Sequence, residues 1–217
     1  MLYFIGKEKD WPESVKKHLP HIDGQGEIKD AEHYEGPVLS IHAATLYELA
    51  MFSNPKNIIE VGRRNGESTR ILLDVCLQKN AFLWSIDIKD SLSDLYPLID
   101  KKYHRHYKQL VGDGTTYEWP FEADFIFIDT MHTYKGTLSE ADSLWKHLKS
   151  PGIMAIYKTE SHWGAKKAVF EWAEKMNLSF IHDTRGQGIS IFIKPNYSIS
   201  MRDRKAPDCL KNEEFQD

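Results

Sequence analysis

The stretch IIEVGRRNGEST, residues 58–69, combines residue types that suit the binding of an anionic group. Gly62 lets a ligand approach the backbone closely or allows a positive φ angle, and Gly66 opens a helix-like run. Free N–H groups at the start of a helix favour an anion, and Ser68 adds a hydroxyl donor there. Glu60 lies at the end of the preceding apolar run. The pattern E-x-G-x-x-x-G therefore predicts a ligand-binding turn between a strand and a helix.

Two further carboxylates end the next two apolar runs. Asp87 closes AFLWSID (81–87), where a carboxylate can accept hydrogen bonds from both hydroxyls of a ribose. Asp113 lies in VGDG (111–114) and can accept a hydrogen bond from an exocyclic amine, such as that of adenine. Together with the glycine turn, these positions describe a nucleoside that carries an anionic or amino-acid-like end.

Other nucleotide ligands fit the glycine turn less well. Arg64 stands where the dinucleotide pattern G-x-G-x-x-G has its middle glycine, and a side chain there opposes the close approach of a pyrophosphate. The chain also lacks the P-loop pattern G-x-x-x-x-G-K-[ST]. The sequence therefore disfavours a nucleotide-dependent dehydrogenase.

The elements that must position these residues alternate along the chain. Short apolar runs predict five strands, and helical patterns separate most of them. A final pair of strands in residues 178–194 is joined by a short loop. This alternation predicts an α/β fold: a doubly wound (Rossmann-like), mostly parallel seven-stranded sheet with an antiparallel C-terminal edge hairpin. The predicted strands before the hairpin are 57–61, 81–87, 106–114, 123–129 and 153–157. The predicted helices are 43–55, 67–79, 163–177 and a weak one at 91–102. A further helix is predicted to end at Ser150-Pro151-Gly152.

Composition sets broad limits on function. The 217 residues are 41% hydrophobic and 28% charged, which is an ordinary globular balance. The net charge of −4 argues against nucleic acid as the main partner, because phosphate binding needs a basic surface. Cys76 and Cys209 form no disulfide framework or metal-binding pair, and no stretch approaches the roughly 20 apolar residues that span a bilayer. We expect a cytoplasmic protein that binds neither nucleic acid nor membrane.

The chain resembles the class I S-adenosylmethionine (SAM)-dependent methyltransferases, and most of all their small-molecule O-methyltransferase branch. Four segments carry the resemblance: IIEVGRRNGEST, SIDI, VGDG and DFIFIDTMHTYKGTLSEADSLWKHLKSPGIMAIY. The resemblance implies SAM as cofactor. By the same resemblance, the glycine turn would shape the methionine pocket, and the predicted cofactor-binding residues are Glu60, Gly62, Gly66, Ser68 (cofactor carboxylate), Asp87 (ribose), Ile88, Asp113 (adenine amine), Gly114 and Asp129.

Candidate catalytic residues follow the fourth and fifth predicted strands. In-line methyl transfer requires the acceptor oxygen to lose a proton, and histidine is a common general base. The stretch 128-IDTMHTY-134 matches the pattern I-D-x-x-H-x-Y of similar proteins, which implies that Asp129 faces the cofactor and that His132 assists deprotonation. The alternative is that His132 only orders its own loop. Tyr134 would position the acceptor or pack.

Metal dependence is left open by the sequence. Many relatives hold a divalent cation between the acid after the fourth strand and an acidic or amide pair after the fifth, as suits Mg²⁺. Here Lys158 stands where such a ligand is expected. Lys158 could replace the cation electrostatically, act as a base, or lie on the surface, while Glu160 and His162 could still reach a metal. We therefore assign Lys158 as a third catalytic candidate, assign no metal ligands, and treat Mg²⁺ as a doubtful cofactor.

The predicted organisation has three parts. Residues 1–42 would form a lid, a substrate-binding segment or an oligomerisation segment, 43–194 the SAM-binding domain, and 195–217 a polar tail. Arg63 and Arg64 would meet the cofactor carboxylate, an acidic substrate or a second subunit, or simply be solvated. The expected partner is a small hydroxylated acceptor, of sugar or natural-product type, and the resemblance implies a homodimer. The alternative function is a noncatalytic or differently active SAM-binding protein of the same fold.

Overall fold

The computed structural model of the chain describes residues 11–16, 42–89 and 100–196. The strands in these ranges are β1 (Asn57–Val61), β2 (Phe82–Asp87), β3 (Tyr107–Val111), β4 (Ala123–Ile128), β5 (Leu148–Tyr157), β6 (Phe180–Asp183) and β7 (Ile189–Lys194). The helices are α1 (Glu13–Lys16), α2 (His42–Phe52), α3 (Glu67–Lys79), α4 (Tyr134–Trp145) and α5 (Trp163–Lys175), with a 3₁₀ helix at Lys101–His106.

The seven strands form one sheet in the order β3-β2-β1-β4-β5-β7-β6. Strands β1 to β5 pair in parallel, and β7 runs antiparallel to both β5 and β6. The predicted doubly wound, mostly parallel sheet is therefore confirmed, with β7 inserted between β5 and β6. Strand order reverses between β1 and β4, and ligands of such sheets bind beyond the carboxyl ends of the strands at this point.

Two apolar layers cover the sheet. Helices α1, α2 and α3 pack on the face that carries Ile58, Phe125 and Phe127. Helices α4 and α5 pack on the opposite face, which carries Ile59 and Ile126. Every residue of β4 is buried, as expected for a central parallel strand covered on both faces. The polar residues that follow β1 and β4 are thus positioned by the most rigid part of the molecule.

The predicted boundary between the fourth helix and β5 is wrong. Helix α4 ends at Trp145, and β5 begins at Leu148, so that Ser150-Pro151-Gly152 lies inside the strand instead of ending the helix. The pairing of β5 with β4 shifts register between Ala123 and Phe125, and Pro151 lies in the irregular stretch. Proline is tolerated at such an irregularity because its missing N–H interrupts no ladder hydrogen bond. Of the weak helix predicted at 91–102, residues 91–99 lie outside the described ranges.

Residues 11–16 belong to the same packed layer as α2 and α3. Trp11 donates a hydrogen bond from Nε1 to Glu48 Oε1 over 2.6 Å, and Ser14 donates to Asp74. Val15 is completely buried. The rest of the predicted N-terminal segment, like residues 197–217, lies outside the described ranges, and the three-part division stays a prediction. Among the described helices, none has the length and apolar character needed to cross a membrane.

Candidate active site

The glycine turn lies directly against the end of β4. Gly62 has φ 85°, and its N–H donates to the carbonyl of Ile86 over 2.9 Å. A Cβ atom at this position would lie 2.1 Å from the carbonyl oxygen of Asp129. Gly66, with φ 75°, precedes the first residue of α3. The turn therefore needs glycine at position 62 for conformation and for space.

Glu60 is fully buried beneath this turn. Its carboxylate accepts hydrogen bonds from Ser68 Oγ (2.5 Å), Thr69 Oγ1 (2.8 Å) and Ser85 Oγ (2.5 Å). Burial raises the pKa of Glu60, and these hydroxyl groups and the nearby charge of Arg63 act in the opposite direction. Glu60 thus ties β1 to β2 and to the start of α3. The hydroxyl of Ser68 points inward to Glu60, and the cofactor-carboxylate role predicted for Ser68 stays a prediction.

Asp87 joins the end of β2 to the glycine turn. Its Oδ2 accepts from the backbone N–H groups of Arg63 and Arg64, both over 3.1 Å, and its Oδ1 accepts from the N–H of Lys89 over 3.0 Å. A carboxylate offers about four acceptor positions, so these bonds leave room for one more donor. A ribose hydroxyl is a donor of the required kind.

The loops after β2 and β3 carry the predicted cofactor-binding residues Ile88, Asp113 and Gly114. Asp113 uses Oδ1 to accept from the N–H and hydroxyl of Thr115, over 2.8 and 2.7 Å. Within the described part of the chain, no hydrogen bond to Asp113 Oδ2 is present. Ile88 is 64% exposed and so presents an apolar surface beside Asp87. A Cβ atom on Gly114 would lie 2.7 Å from Val61, so the β3 loop packs closely on the end of β1.

Arg63 has a role that sequence reasoning missed. Its side chain is buried and donates from Nη1 to the carbonyls of Ser85 (3.4 Å) and Leu110 (3.0 Å), and from Nη2 to the carbonyl of Lys89 (3.1 Å). The prediction of a solvated or ligand-facing arginine is wrong at this position. Arg63 holds the ends of β2 and β3 together, whereas Arg64 is exposed.

The three catalytic candidates converge at the ends of β4 and β5. Asp129 Oδ1 lies 3.2 Å from His132 Nε2 and 3.0 Å from Lys158 Nζ. The three side chains are only 11–13% exposed. We call this group the strand-end cluster. It forms because β4 and β5 are parallel neighbours, so their carboxyl ends meet at one edge of the sheet.

The strand-end cluster is held by charge and proximity and not by aligned hydrogen bonds. His132 Nε2 lies 3.2 Å from Asp129 Oδ1, but that oxygen is buried and accepts no hydrogen bond from the described residues. A neutral imidazole with hydrogen at Nε2 has Nδ1 as its proton acceptor. His132 and Lys158 both have left-handed backbone conformations, with φ 52° and 60°. Non-glycine residues seldom adopt such angles, and they concentrate at functional sites.

His162 adjoins the cluster from the start of α5. Its ring centroid lies 4.7 Å from that of His132, and its pKa is lowered by burial and then by the positive charges of His132 and Lys158. The two loops meet because Gly164 packs on the backbone of Tyr134, where a Cβ atom would lie 2.9 Å from the nitrogen. The sequence suggested His162 only as a metal ligand, whereas its ring contacts that of the candidate base at an interplanar angle of 47°.

Two large apolar side chains flank the cluster and were not predicted. Met131 is 68% exposed and Trp163 is 73% exposed. Each lies next to a histidine of the site, Met131 before His132 and Trp163 after His162. In the sequence, the one sign of their importance was that each is adjacent to a candidate histidine. The sequence does not reveal that these side chains are exposed.

The oxygen ligands expected for a divalent cation do not assemble at the cluster. Glu160 points elsewhere: it accepts from Lys166 Nζ over 2.7 and 2.9 Å and contacts His182 Nε2 over 2.9 Å. These partners lower the pKa of Glu160. Over residues 11–16, 42–89 and 100–196, no three His, Cys, Asp or Glu side chains group as a metal site. Mg²⁺ prefers six oxygen ligands, and Asp129 already faces an ammonium, so these residues do not fit the cation.

Glu140, on α4, should make the free energy of unfolding depend on pH. Burial raises its pKa from 4.5 to about 7, and it accepts a hydrogen bond from Thr130 Oγ1 over 2.6 Å. Between these two pH values the folded chain binds more protons than the unfolded chain, so stability falls as pH rises through the window, by at most about 3 kcal/mol. In urea unfolding, the stability of Glu140→Gln relative to wild type should therefore increase when the pH is raised from 5 to 8. A stability difference that is the same at both pH values would contradict this.

Comparisons with known proteins agree with this fold. Residues 59–156 match the family model described as a methyltransferase domain. No curated sequence matches the chain significantly. Similar solved structures include the O-methyltransferase TomG from Streptomyces achromogenes in complex with SAM, at 14% identity and a TM-score of 0.62 over 85% of this chain and 90% of TomG.

Two further structures share the fold. A methyltransferase from Podospora anserina, bound to S-adenosylhomocysteine (SAH), is 15% identical with a TM-score of 0.60 over 86% of this chain and 91% of that one. The N-methyltransferase NodS from Bradyrhizobium japonicum, also with SAH, is 16% identical with a TM-score of 0.57 over 75% and 90%. Residues 59–156 therefore match the methyltransferase-domain family, and the chain has the Rossmann-like fold of the SAM-dependent methyltransferases.

Proposed function

We propose that this protein is a SAM-dependent methyltransferase that methylates an oxygen of a small hydroxylated molecule. The observation that carries the proposal is the convergence of Asp129, His132 and Lys158 beside the glycine turn. A carboxylate, an oriented imidazole and an ammonium at one strand end are suited to removing a proton from a hydroxyl group.

The residues around the turn fit SAM. The three proteins of the same fold named above were crystallised with SAM or SAH. Asp87 retains an acceptor position for ribose, Asp113 retains one carboxylate oxygen for an amine, and Ile88 offers an exposed apolar face to a base. The glycine turn and the start of α3 would accommodate the methionine end. When bound, SAM supplies a methyl group on a sulfonium.

His132 is the proposed general base. In the proposed reaction the Nε2 side of the ring faces Asp129 Oδ1, 3.2 Å away, and Nδ1 takes the acceptor proton. Lys158 Nζ lies 3.0 Å from the same oxygen and balances the charge of Asp129. The ring of His162 lies 4.7 Å, centroid to centroid, from that of His132, and burial lowers the pKa of His162.

The acceptor would lie against the exposed side chains that flank the cluster. Trp163 offers an aromatic surface, and Lys167 Nζ lies 5.2 Å from its ring centroid. An aromatic ring of this kind contacts the apolar face of a sugar or a planar natural product equally well. Homodimer formation and a cytoplasmic location remain predictions from the sequence.

Transfer of a labelled methyl group tests the function. Protein incubated with methyl-labelled SAM and a panel of sugars, phenols and amines should label a hydroxyl compound, and Asp129→Asn should lower the rate at least about 100-fold. Label found on amines and not on hydroxyls would reject O-methylation. SAM binding without transfer to any member of a broad panel would favour a noncatalytic SAM-binding protein.

A further inference from the structure

The ammonium of Lys158, and not a second oxygen ligand, faces Asp129. Its Nζ is 3.0 Å from Asp129 Oδ1, and both side chains are nearly buried. We propose that Lys158 permanently takes the place of a divalent cation, and that the enzyme therefore acts on acceptors without requiring a second hydroxyl group next to the one that is methylated. This inference rests on the proposed methyl transfer and names the acceptor class of that site.

The chain holds Lys158 in place through its backbone. Lys158 has φ 60°, and the next residues are tied to the β6–β7 turn. The N–H of Thr159 donates to the carbonyl of Gly188 over 3.3 Å, and the N–H of Glu160 donates to the carbonyl of Gln187 over 3.0 Å. The Cβ of Glu160 lies so close to Gly188 that a Cβ there would be only 2.4 Å away. The segment after β5 therefore has little freedom to withdraw the ammonium.

Buried polar contacts also hold the segment after β5 in place. Ser190 Oγ lies 2.9 Å from Thr159 Oγ1 and 2.9 Å from His182 Nδ1, and the second ring nitrogen of His182 contacts Glu160. Ser190 and Thr159 are completely buried. Glu160 is thereby held away from Asp129, so the second carboxylate that could help to bind a metal is engaged elsewhere.

The replacement changes what the site can recognise. A divalent cation can hold two adjacent oxygen atoms of one acceptor in its coordination sphere. An ammonium is a point charge with three separate donors, and that of Lys158 lies 3.0 Å from Asp129 Oδ1. It can stabilise one developing oxyanion without gripping a second oxygen. Removal of a neighbouring hydroxyl from the acceptor should therefore matter little.

Titration with Mn²⁺ alone, in the absence of any acceptor, tests whether Lys158 takes the place of a divalent cation. Electron paramagnetic resonance of free Mn²⁺ reports binding to wild type, Asp129→Asn and the control Glu160→Gln. We expect all three proteins to take up Mn²⁺ equally weakly, within about twofold, because Asp129 is paired with Lys158. Mn²⁺ binding by wild type that is weakened tenfold or more in Asp129→Asn, and unchanged in Glu160→Gln, would overturn the proposal.

Calorimetry with SAM on the same samples separates this proposal from the proposed function. SAM binding with no Asp129-dependent Mn²⁺ site supports both. SAM binding together with such a site rejects only the role of Lys158. Absence of SAM binding from folded protein rejects the proposed function, and with it the acceptor class that depends on it.

The acceptor class is tested on the compound that the transfer assay identifies. Analogues with and without a hydroxyl group next to the methylated one should have kcat/KM values within about fivefold, and added chelator should leave the rate unchanged. Lys158→Gln should lower kcat by about 10²–10³-fold, and Lys158→Arg should retain more activity than Lys158→Gln. A loss of 100-fold or more on removal of the neighbouring hydroxyl would contradict the inference.

Discussion

Gly62→Ala is expected to lower the free energy of unfolding by about 4 kcal/mol and to abolish SAM binding. The substitution adds a Cβ atom 2.1 Å from the carbonyl oxygen and 2.7 Å from the carbonyl carbon of Asp129. Both are backbone atoms at the end of the central strand, so no side chain can move aside. The positive φ of 85° adds a cost of about 1–2 kcal/mol for any L-residue. Urea unfolding followed by circular dichroism measures the loss.

Gly186→Ala is the matched control. Gly186 also has a positive φ, 54°, but it lies in the turn between β6 and β7 and not between β1 and β4. We expect it to lose only about 1–2 kcal/mol. If Gly62→Ala were as stable as this control, the close packing of the glycine turn on Asp129 would not hold in solution.

His132→Gln is expected to lower kcat by about 10²–10⁴-fold while the affinity for SAM stays within about threefold of wild type. Glutamine has similar bulk and can still donate to Asp129, but its amide cannot accept the acceptor proton. The affinity for SAM should persist because the glycine turn, Asp87 and Asp113 are untouched. Steady-state kinetics of labelled methyl transfer measures kcat, and calorimetry measures the affinity.

His147→Gln controls for the loss of a histidine as such. His147 precedes β5 at the end of the sheet opposite the strand-end cluster. Its replacement should leave kcat within about twofold of wild type. If His132→Gln kept more than a tenth of the wild-type kcat, His132 would be a loop-ordering residue and another group would have to accept the proton.

The fold and the meeting of the catalytic candidates were predictable from the sequence for one physical reason. Alternating strand and helix patterns imply a parallel sheet, and parallel neighbours bring their carboxyl ends together. Asp129 and Lys158, each at such an end, were therefore expected to be close. Prediction was wrong at Pro151 because proline usually ends an element, whereas the register shift between β4 and β5 accommodates it here.

Other parts of the site depend on contacts that no local pattern encodes. Arg63 and Arg64 are adjacent arginines in one turn, yet the first is buried against carbonyl groups of β2 and β3 and the second is exposed. Likewise, the contact between the rings of His162 and His132 requires the close packing of Gly164 on Tyr134, which joins segments far apart in the sequence. Such features depend on where the backbone places a side chain in three dimensions.

Calorimetric titration of SAM and SAH into the wild-type protein, with Asp87→Ala alongside, tests the central claim most directly. Micromolar binding of both ligands, weakened at least tenfold in Asp87→Ala, is the predicted result, because Asp87 is assigned to the ribose. Circular dichroism would verify that the variant is folded, since Asp87 also binds the turn. No heat with either ligand, from folded wild-type protein, would contradict the assignment of this chain as a SAM-dependent methyltransferase.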